Sequence, residues 1–198
     1  MSETVVGDHD RISGEGETPQ EYCLLKFRGD AGTLVAATLR PETVFGQTNL
    51  WVDGSGTYAR ARVDGEAWVC SLQMPAKLRL QGHEVEELGT ITGRELIGQR
   101  FAAPGVDRDL MVLPADFCNA AIGSGIVTSV PSDAPDDWQG LADLQDSAAL
   151  CEQWGLDHKH IKEIEPLAII DSGELGTVPA PALCRQMGVR DQNDRARL

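Results

Sequence analysis

Apolar and polar residues alternate along the first two thirds of the chain, with turn signals about every 8–12 residues. Residues 57–63 are the clearest case, because small or apolar side chains occupy every second position. The pair Asp64-Gly65 then favours a hairpin turn. These patterns predict strands at 22–28, 33–39, 49–52, 57–63, 66–71, 110–113, 126–130 and 167–170.

Helical spacing is confined to fewer segments, most of them in the second half of the chain. Apolar residues across 138–154 recur every three or four positions, so they predict one continuous helix that ends at Gly155. Ser132 or Asp133 is expected to cap its start, with Pro135 in the first turn. Shorter helices are predicted at 73–80 and at 181–187, and a helix start at 191–198.

Many short strands and few helices favour an α+β fold, with a closed or partly closed β-barrel and peripheral helices. The 198 residues are enough for one sizeable domain. Residues 1–20 are polar, with glycine and proline, and predict a flexible arm or linker. No apolar run approaches the roughly 20 residues of a membrane helix, and the acidic start does not resemble a signal peptide. We therefore expect a cytoplasmic protein that contacts no membrane.

The net charge of −14 is unevenly distributed along the chain. Residues 1–21 hold six acids and one arginine, and residues 133–174 hold eleven acids and two lysines. The remainder holds fourteen acids and fourteen bases, so it is neutral. Such a surface is expected to contact a phosphate backbone only weakly.

Several kinds of chemistry find no support in the sequence. The five cysteines are widely spaced and predict reduced core residues rather than a disulfide framework or a zinc site. The histidines have no metal-ligand spacing, and no serine has a Ser-His-Asp context. What remains is a hydroxyl-rich turn at 38–43 and the carboxylates Asp133, Asp136 and Asp137.

The position of these carboxylates has two explanations. They follow a predicted strand directly, where an acid can hold a cationic group. They also fall in the first turn of a helix, where the dipole stabilises acids by about 0.3–1 kcal/mol. On this segment alone the helix-start explanation is the simpler one, and it predicts that Asp137 contributes little to stability.

Two stretches resemble the signature motifs of one family. Residues 37–51 read ATLRPETVFGQTNLW, and residues 123–138 read GSGIVTSVPSDAPDDW. Both are similar to the editing domain, or first connective polypeptide, of leucyl-tRNA synthetases of the archaeal and eukaryotic cytosolic branch. The flanks 9–22 and 192–195 resemble the segments that enter and leave that domain, whereas 57–110 and 143–176 match loosely. This resemblance divides the chain into an entry arm (1–21), the editing domain (22–190) and an exit segment (191–198).

The resemblance implies the fold shared by valyl-, isoleucyl- and leucyl-tRNA synthetase editing domains, and post-transfer hydrolysis of tRNA(Leu) mischarged with isoleucine, methionine or norvaline. A second, hydrolytic site is needed because a synthetic site distinguishes amino acids that differ by one methylene by only about 1–3 kcal/mol. The synthetic-site signatures His-x-Gly-His and Lys-Met-Ser-Lys-Ser do not occur in the chain. The implied partners of this monomeric domain are the 3′ end of aminoacylated tRNA(Leu) and the rest of a parent synthetase. The parent would use ATP and Mg, whereas the domain itself needs no cofactor or metal.

The resemblance also implies roles for individual residues. Asp137 would bind the α-ammonium group, Thr38 would lie near the ester and the attacking water, and Thr43 would exclude leucine. Arg40 would contact the terminal adenosine. The remaining implied substrate-binding residues are Leu39, Thr128, Val130, Ser132 and Asp133.

Two alternatives stay open. The first is a valyl- or isoleucyl-type editing domain, since Arg-Pro-Glu-Thr also occurs there, although the segments 45–51 and 130–137 point to leucine. The second is a non-catalytic module that binds tRNA or protein, for which the charge of −14 is the best support.

Overall fold

The predicted alternation appears as strands of a single mixed sheet in the computed structural model, which describes residues 21–192 and residue 194. Within these residues the sheet has nine strands in the order β6-β4-β5-β2-β1-β7-β8-β3-β9. The strands are β1 (Cys23–Gly29), β2 (Gly32–Thr38), β3 (Asn49–Val52), β4 (Thr57–Val63), β5 (Glu66–Ser71), β6 (Val85–Thr92), β7 (Arg100–Ala102), β8 (Asp109–Pro114) and β9 (Ile126–Ser129).

Two hairpins begin the sheet. Strands β1 and β2 pair antiparallel along their whole length, and β4 pairs with β5 through a turn at Asp64 and Gly65. Both turn residues have positive φ, 48° and 88°, which confirms the predicted hairpin. Strand β9 pairs antiparallel with β3, and it also packs against β2. The sheet therefore curls toward closure, which confirms the α+β, barrel-like fold.

The strand pleat sends alternate residues of β3 into two different cores. Leu50 and Val52 lie inside the curled sheet with Phe27 and Phe101, whereas Trp51 faces the helices. Each such buried side chain contributes about 1.5–3 kcal/mol. A third cluster packs α1 onto the outer face of β4 and β5. The site described below includes residues from the ends of β2 and β9.

One prediction about the helices is wrong. The continuous helix expected over 138–154 is broken at Ser147, whose hydroxyl accepts the Leu150 N–H (3.1 Å) and caps a new helix. The ends at Gly155 and Gly188 are confirmed, both in the left-handed conformation. The helices are α1 (Met74–Leu80), α2 (Gly93–Leu96), α3 (Pro135–Asp146), α4 (Ala148–Trp154), α5 (His158–Lys162) and α6 (Pro179–Met187), with 3-10 helices at Pro41–Gly46 and Gly173–Leu175.

The start of α3 also differs from the prediction. Its N-cap is Ala134, without a side-chain hydrogen bond, and Pro135 is the first helical residue as expected. Ser132 and Asp133 do not cap it, because they lie in a turn in which the Asp133 N–H donates to the Val130 carbonyl (3.0 Å).

Three further strand assignments differ from the prediction. Residues 167–170 form no strand. Strand β6 was not predicted because it is an exposed edge strand whose side chains show no period-two pattern of burial. Strand β7 has only three residues, too few to produce a periodic signal.

Four of the five cysteines are buried, as predicted, and Cys23 is exposed. In the described part of the chain, none of the helices combines the length and the apolar character required to span a bilayer. The predicted entry arm at 1–20 and the helix start at 191–198 lie outside the described residues, except for residues 191, 192 and 194.

Candidate active site

A cavity of about 520 Å³ opens where β2 ends, beside β9 and the turn that follows it. This volume is in the range of small-molecule sites. Its walls include all the predicted site residues except Ser132 and Asp137. The lining residues are Tyr22, Ala37, Thr38, Leu39, Arg40, Thr43, Val127, Thr128, Val130, Asp133 and Ala134.

Thr38 is the last residue of β2 and is partly buried in the cavity wall. Its hydroxyl oxygen accepts the backbone N–H of Arg40 at 3.0 Å. Because the oxygen acts as an acceptor in this bond, the hydroxyl proton is free to be donated to a ligand. Thr38 therefore offers the cavity one hydrogen-bond donor in a fixed position.

Thr43 lies in the 3-10 helix that follows Pro41. Its hydroxyl donates to the Arg40 carbonyl at 2.8 Å, and its backbone N–H donates to the same oxygen at 3.1 Å. The hydroxyl proton is thus committed, and a β-branched side chain held this way has a single χ1 orientation. Thr43 presents a rigid surface to the cavity.

Leu39 and Arg40 lie at the rim of the cavity, and both side chains are exposed, Leu39 by 55%. The Arg40 guanidinium makes no ion pair with any described residue. It therefore leaves an unneutralised cation at the opening, suited to an anionic or polar ligand. Strand β9 and the residue after it also contribute to the wall, through Thr128 and Val130.

Asp137 is placed differently from the other predicted residues. It does not line the cavity, and only 5% of it is exposed. One carboxylate oxygen accepts the indole N–H of Trp51 (2.9 Å), and the other accepts the backbone N–H of Val130 (2.8 Å). Burial outweighs these two bonds and raises the pKa of the Asp137 carboxyl to about 7.

The prediction that Asp137 contributes little to stability is therefore wrong. It rested on an exposed acid at a helix start, whereas the carboxylate is buried and joins β3 to the residue after β9. Truncation to alanine would leave two buried N–H donors without acceptors, at about 1–3 kcal/mol each.

Asp133 lines the cavity, and its two oxygens have different surroundings. One accepts the hydroxyl of Ser132, and the other is buried without a hydrogen-bond partner among the described residues. Ser132 is fully buried, and its carbonyl accepts the Ala180 N–H of α6 (3.0 Å). Ser132 thus supports Asp133 and does not line the cavity, and its expected role as a substrate-binding residue stays a prediction.

Sequence reasoning missed several residues at this site. Tyr22, Ala37, Val127 and Ala134 line the cavity but carried no assigned role. Each of these residues lies beside or within a predicted strand or motif, and only the fold brings them together. Trp51 belongs to a recognised motif, yet nothing in the sequence indicates its contact with Asp137.

Within residues 21–192 and 194, no group of three or more histidines, cysteines or acids is arranged to hold a metal ion. The cavity contributes hydroxyl groups, one cation and one carboxylate with a free oxygen. This chemistry suits a polar organic ligand that carries an ammonium group.

Comparisons with known proteins point to one family, although no family model matches the chain. It is 42% identical over 189 residues to the leucine--tRNA ligase of Methanothrix thermoacetophila and 41% identical over 194 residues to that of Methanopyrus kandleri. The matches cover 96% and 97% of the chain but only 20% and 21% of those proteins. The chain thus spans about a fifth of the length of the curated relatives it matches.

Two solved structures agree with these relatives. The crystal structure of GlLeuRS-CP1 has a TM-score of 0.76 and 31% identity, and the match covers 86% of this chain and 79% of that one. The editing domain of the cytosolic leucyl-tRNA synthetase of P. knowlesi has a TM-score of 0.79, with 90% and 81% covered. At 21% identity, the second comparison supports the fold alone.

Proposed function

Because the chain belongs to the family of leucyl-tRNA synthetase editing domains, we propose that it hydrolyses the aminoacyl ester of tRNA(Leu) mischarged with isoleucine, methionine or norvaline. One observation on the structure supports this proposal independently of the family comparison. A single cavity gathers hydroxyl, cationic and carboxylate groups from two motifs about 90 residues apart in sequence. The proposed setting is a cytoplasmic parent synthetase that delivers the tRNA 3′ end to the cavity.

The α-ammonium group of the ester needs an anionic partner, and we assign it to Asp137 on the resemblance to the family motif, although this residue lies behind the cavity wall and not in it. Each carboxylate oxygen has a second lone pair after it accepts its present bond. A cation beside this carboxyl favours its charged form and counteracts the burial that raises its pKa. Binding of the ammonium and ionisation of Asp137 are then coupled, so Asp137 need not carry a buried, unpaired charge when the site is empty.

Thr38 takes the role of positioning the reacting groups. Its hydroxyl accepts from Arg40 and keeps its proton for the ester carbonyl or the attacking water. The water oxygen bonds to the carbonyl carbon, the bond from that carbon to the ribose oxygen breaks, and that oxygen takes up a proton. The products are the free amino acid and uncharged tRNA. Correct placement alone supplies several kcal/mol of such a barrier.

Asp133 is the competing ammonium partner, because it lines the cavity and has one unpartnered oxygen. The roles of the two acids are distinguished by comparing the hydrolytic activities of Asp137→Asn and Asp133→Asn. Both substitutions keep the shape of the side chain and remove its charge. Our assignment requires that Asp137→Asn loses at least about tenfold more activity, the equivalent of one charge-assisted bond.

The test of the function is hydrolysis of Ile-tRNA(Leu), with Leu-tRNA(Leu) as the spared substrate. The isolated chain is assayed first, and then the full-length parent if the isolated domain is slow. Hydrolysis of the isoleucyl ester with leucine spared is expected. Preference for threonyl-tRNA(Val) would indicate a valyl-type domain, and binding without hydrolysis in the parent would indicate a non-catalytic module.

A further inference from the structure

Strands β2 and β5 begin as neighbours and then separate. They pair in parallel at only two positions, Thr33 with Trp68 and Leu34 with Val69. Continued pairing would place Ala36 beside Ser71, but the described ladder stops before that point. The N–H groups of the two strand ends therefore need other acceptors.

Ser124 supplies both acceptors from between the two strands. Its backbone carbonyl accepts the Ser71 N–H of β5 at 2.7 Å, and its hydroxyl accepts the Ala37 N–H of β2 at 2.9 Å. The residue is only 2% exposed. One serine thus replaces the missing part of the ladder with a main-chain bond on one side and a side-chain bond on the other.

The flanking glycines explain how Ser124 reaches this position. Gly123 and Gly125 have φ values of 58° and 75°, a conformation that most other residues adopt only with strain. The Ser124 hydroxyl also donates to the carbonyl of Ile126 (3.1 Å), the first residue of β9. It therefore links β2 and β9, the two strands that both contribute residues to the cavity lining.

The consequence for the site follows from the next residue along β2. Ala37 directly precedes Thr38, and Ile126 lies two residues before Thr128. Ser124 itself does not line the cavity. We propose that Ser124 is a positioning residue, which sets the distance between Thr38 and the β9 wall for ester hydrolysis. This inference rests on the proposed function.

The test compares Ser124→Ala with Ser71→Ala. The control removes another buried serine hydroxyl that holds the same loop. The Ser71 hydroxyl donates to the Gly123 carbonyl (2.8 Å), whereas the Ser124 hydroxyl is the one that accepts the Ala37 N–H of β2. Amide hydrogen exchange at Ala37 and the kcat and KM for Ile-tRNA(Leu) are measured in both variants. The assays use the isolated chain, or the full-length synthetase if the chain alone is slow.

We expect Ser124→Ala to expose the Ala37 amide to exchange and to lower kcat about 10- to 100-fold, with KM within about threefold of wild type. Ser71→Ala should keep the Ala37 protection and retain most of kcat. Equal loss of kcat in the two variants, or unchanged Ala37 exchange in Ser124→Ala, would overturn the proposal.

A second variant covers the case in which Ser124→Ala does not fold. Ser124→Cys keeps most of the shape but accepts and donates only weak hydrogen bonds. We expect it to have a kcat below that of Ser71→Ala, and wild-type kcat in Ser124→Cys would contradict a role for the hydroxyl. Failure of the wild-type enzyme to hydrolyse any ester would instead refute the proposed function, while Ala37 exchange would still report the Ser124 contact.

Discussion

Because the Asp137 carboxyl is buried, we expect its contribution to the free energy of unfolding to fall as the pH rises. Its pKa is about 7 in the folded state and near 3.9 in an unfolded chain. The folded state therefore binds the proton more tightly, and its contribution to stability is full below about pH 4 and lost as the pH rises to about 7. Relative to Asp137→Asn, the free energy of unfolding of the wild type should fall by up to about 1.4 kcal/mol per pH unit in that window.

Urea unfolding of both proteins between pH 4.5 and 7.5 measures this difference. Subtracting the Asn variant removes the contributions of the other acids, which the two proteins share. Parallel pH profiles would mean that Asp137 ionises normally despite its burial. Asp137→Ala is the more severe change, because it leaves the Trp51 and Val130 donors unpaired.

We propose that Thr43 determines which amino acid is spared. Its side chain is fixed by the bond to the Arg40 carbonyl, so a γ-branched leucine that collides with it cannot displace it cheaply. Such a clash costs about 1–3 kcal/mol. Thr43→Ala should therefore hydrolyse Leu-tRNA(Leu) about 10- to 150-fold faster than wild type. Thr43→Tyr should fill the space and stop hydrolysis of every ester.

The half-life of Leu-tRNA(Leu) with each variant is the measurement. If Thr43 only stabilises the turn after Pro41, the Ala variant will unfold more easily, hydrolyse less and still spare leucine. If a folded Thr43→Ala variant still leaves Leu-tRNA(Leu) unhydrolysed, Thr43 does not exclude leucine from the site.

The family motifs predicted most of the cavity lining, but not the contacts of its acids. Thr38 and Thr43 lie within one short segment, so a local motif is enough to identify them. The bond from Trp51 to Asp137 joins residues 86 positions apart. Only the packing of α3 against β3 creates it, and neither periodicity nor charge in the sequence contains that information.

At the scale of elements, strands with one buried face were predicted well. Strand β4 alternates from Ala59 to Val63 because one face is buried there. Strand β5 is buried at four consecutive positions, and it was predicted from the hairpin turn that pairs it with β4. The helix break at Ser147 was missed because the apolar spacing continues across it. A serine hydroxyl that competes for a backbone N–H can begin a new helix without interrupting the hydrophobic pattern.

Gly125 provides a test of the loop that carries Ser124. Its φ is 75°, and a Cβ there would lie 2.8 Å from the Ala120 carbonyl oxygen and 2.9 Å from a ring carbon of Tyr58. Gly105 has the same φ, but a Cβ there meets nothing within 4 Å. Alanine at either position costs about 1–2 kcal/mol for the backbone. Only Gly125→Ala should add a further 1–3 kcal/mol or so from overpacking.

Urea midpoints of the two alanine variants measure this difference directly. The comparison removes most of the backbone term, because both glycines have the same φ of 75°. Equal destabilisation would indicate that the loop moves away from Tyr58 at little cost. In that case the Ser124 contacts should be weaker than their distances suggest.

At the scale of the whole molecule, the negative charge is concentrated on the helical side. The acidic segment 133–174 includes α3, α4 and α5, which pack on the Trp51 face of the sheet. The sheet itself belongs to the neutral part of the chain, and its rim carries the exposed Arg40. A nucleic acid is therefore expected to approach the cavity from the sheet side, away from the acidic helices.

The chain by itself should bind tRNA(Leu) weakly, with a Kd of about 10⁻⁶–10⁻⁴ M at physiological salt, because few cations face the phosphates.

Two variants test whether binding is weak because cations are few or because the acidic helices repel the tRNA. Arg40→Ala should weaken binding further and reduce the salt dependence, since it removes a cation at the cavity rim. Neutralising the exposed Glu152, Glu163 and Glu165 to glutamine should change Kd little, because these acids lie on the helical side and salt screens them beyond about 8 Å. Fluorescence anisotropy across a salt series measures all three proteins. Nanomolar binding by the wild type would contradict the predicted weak binding, whereas a large gain in affinity from the glutamine variant would show that the acidic helices rather than missing contacts limit the interaction with tRNA.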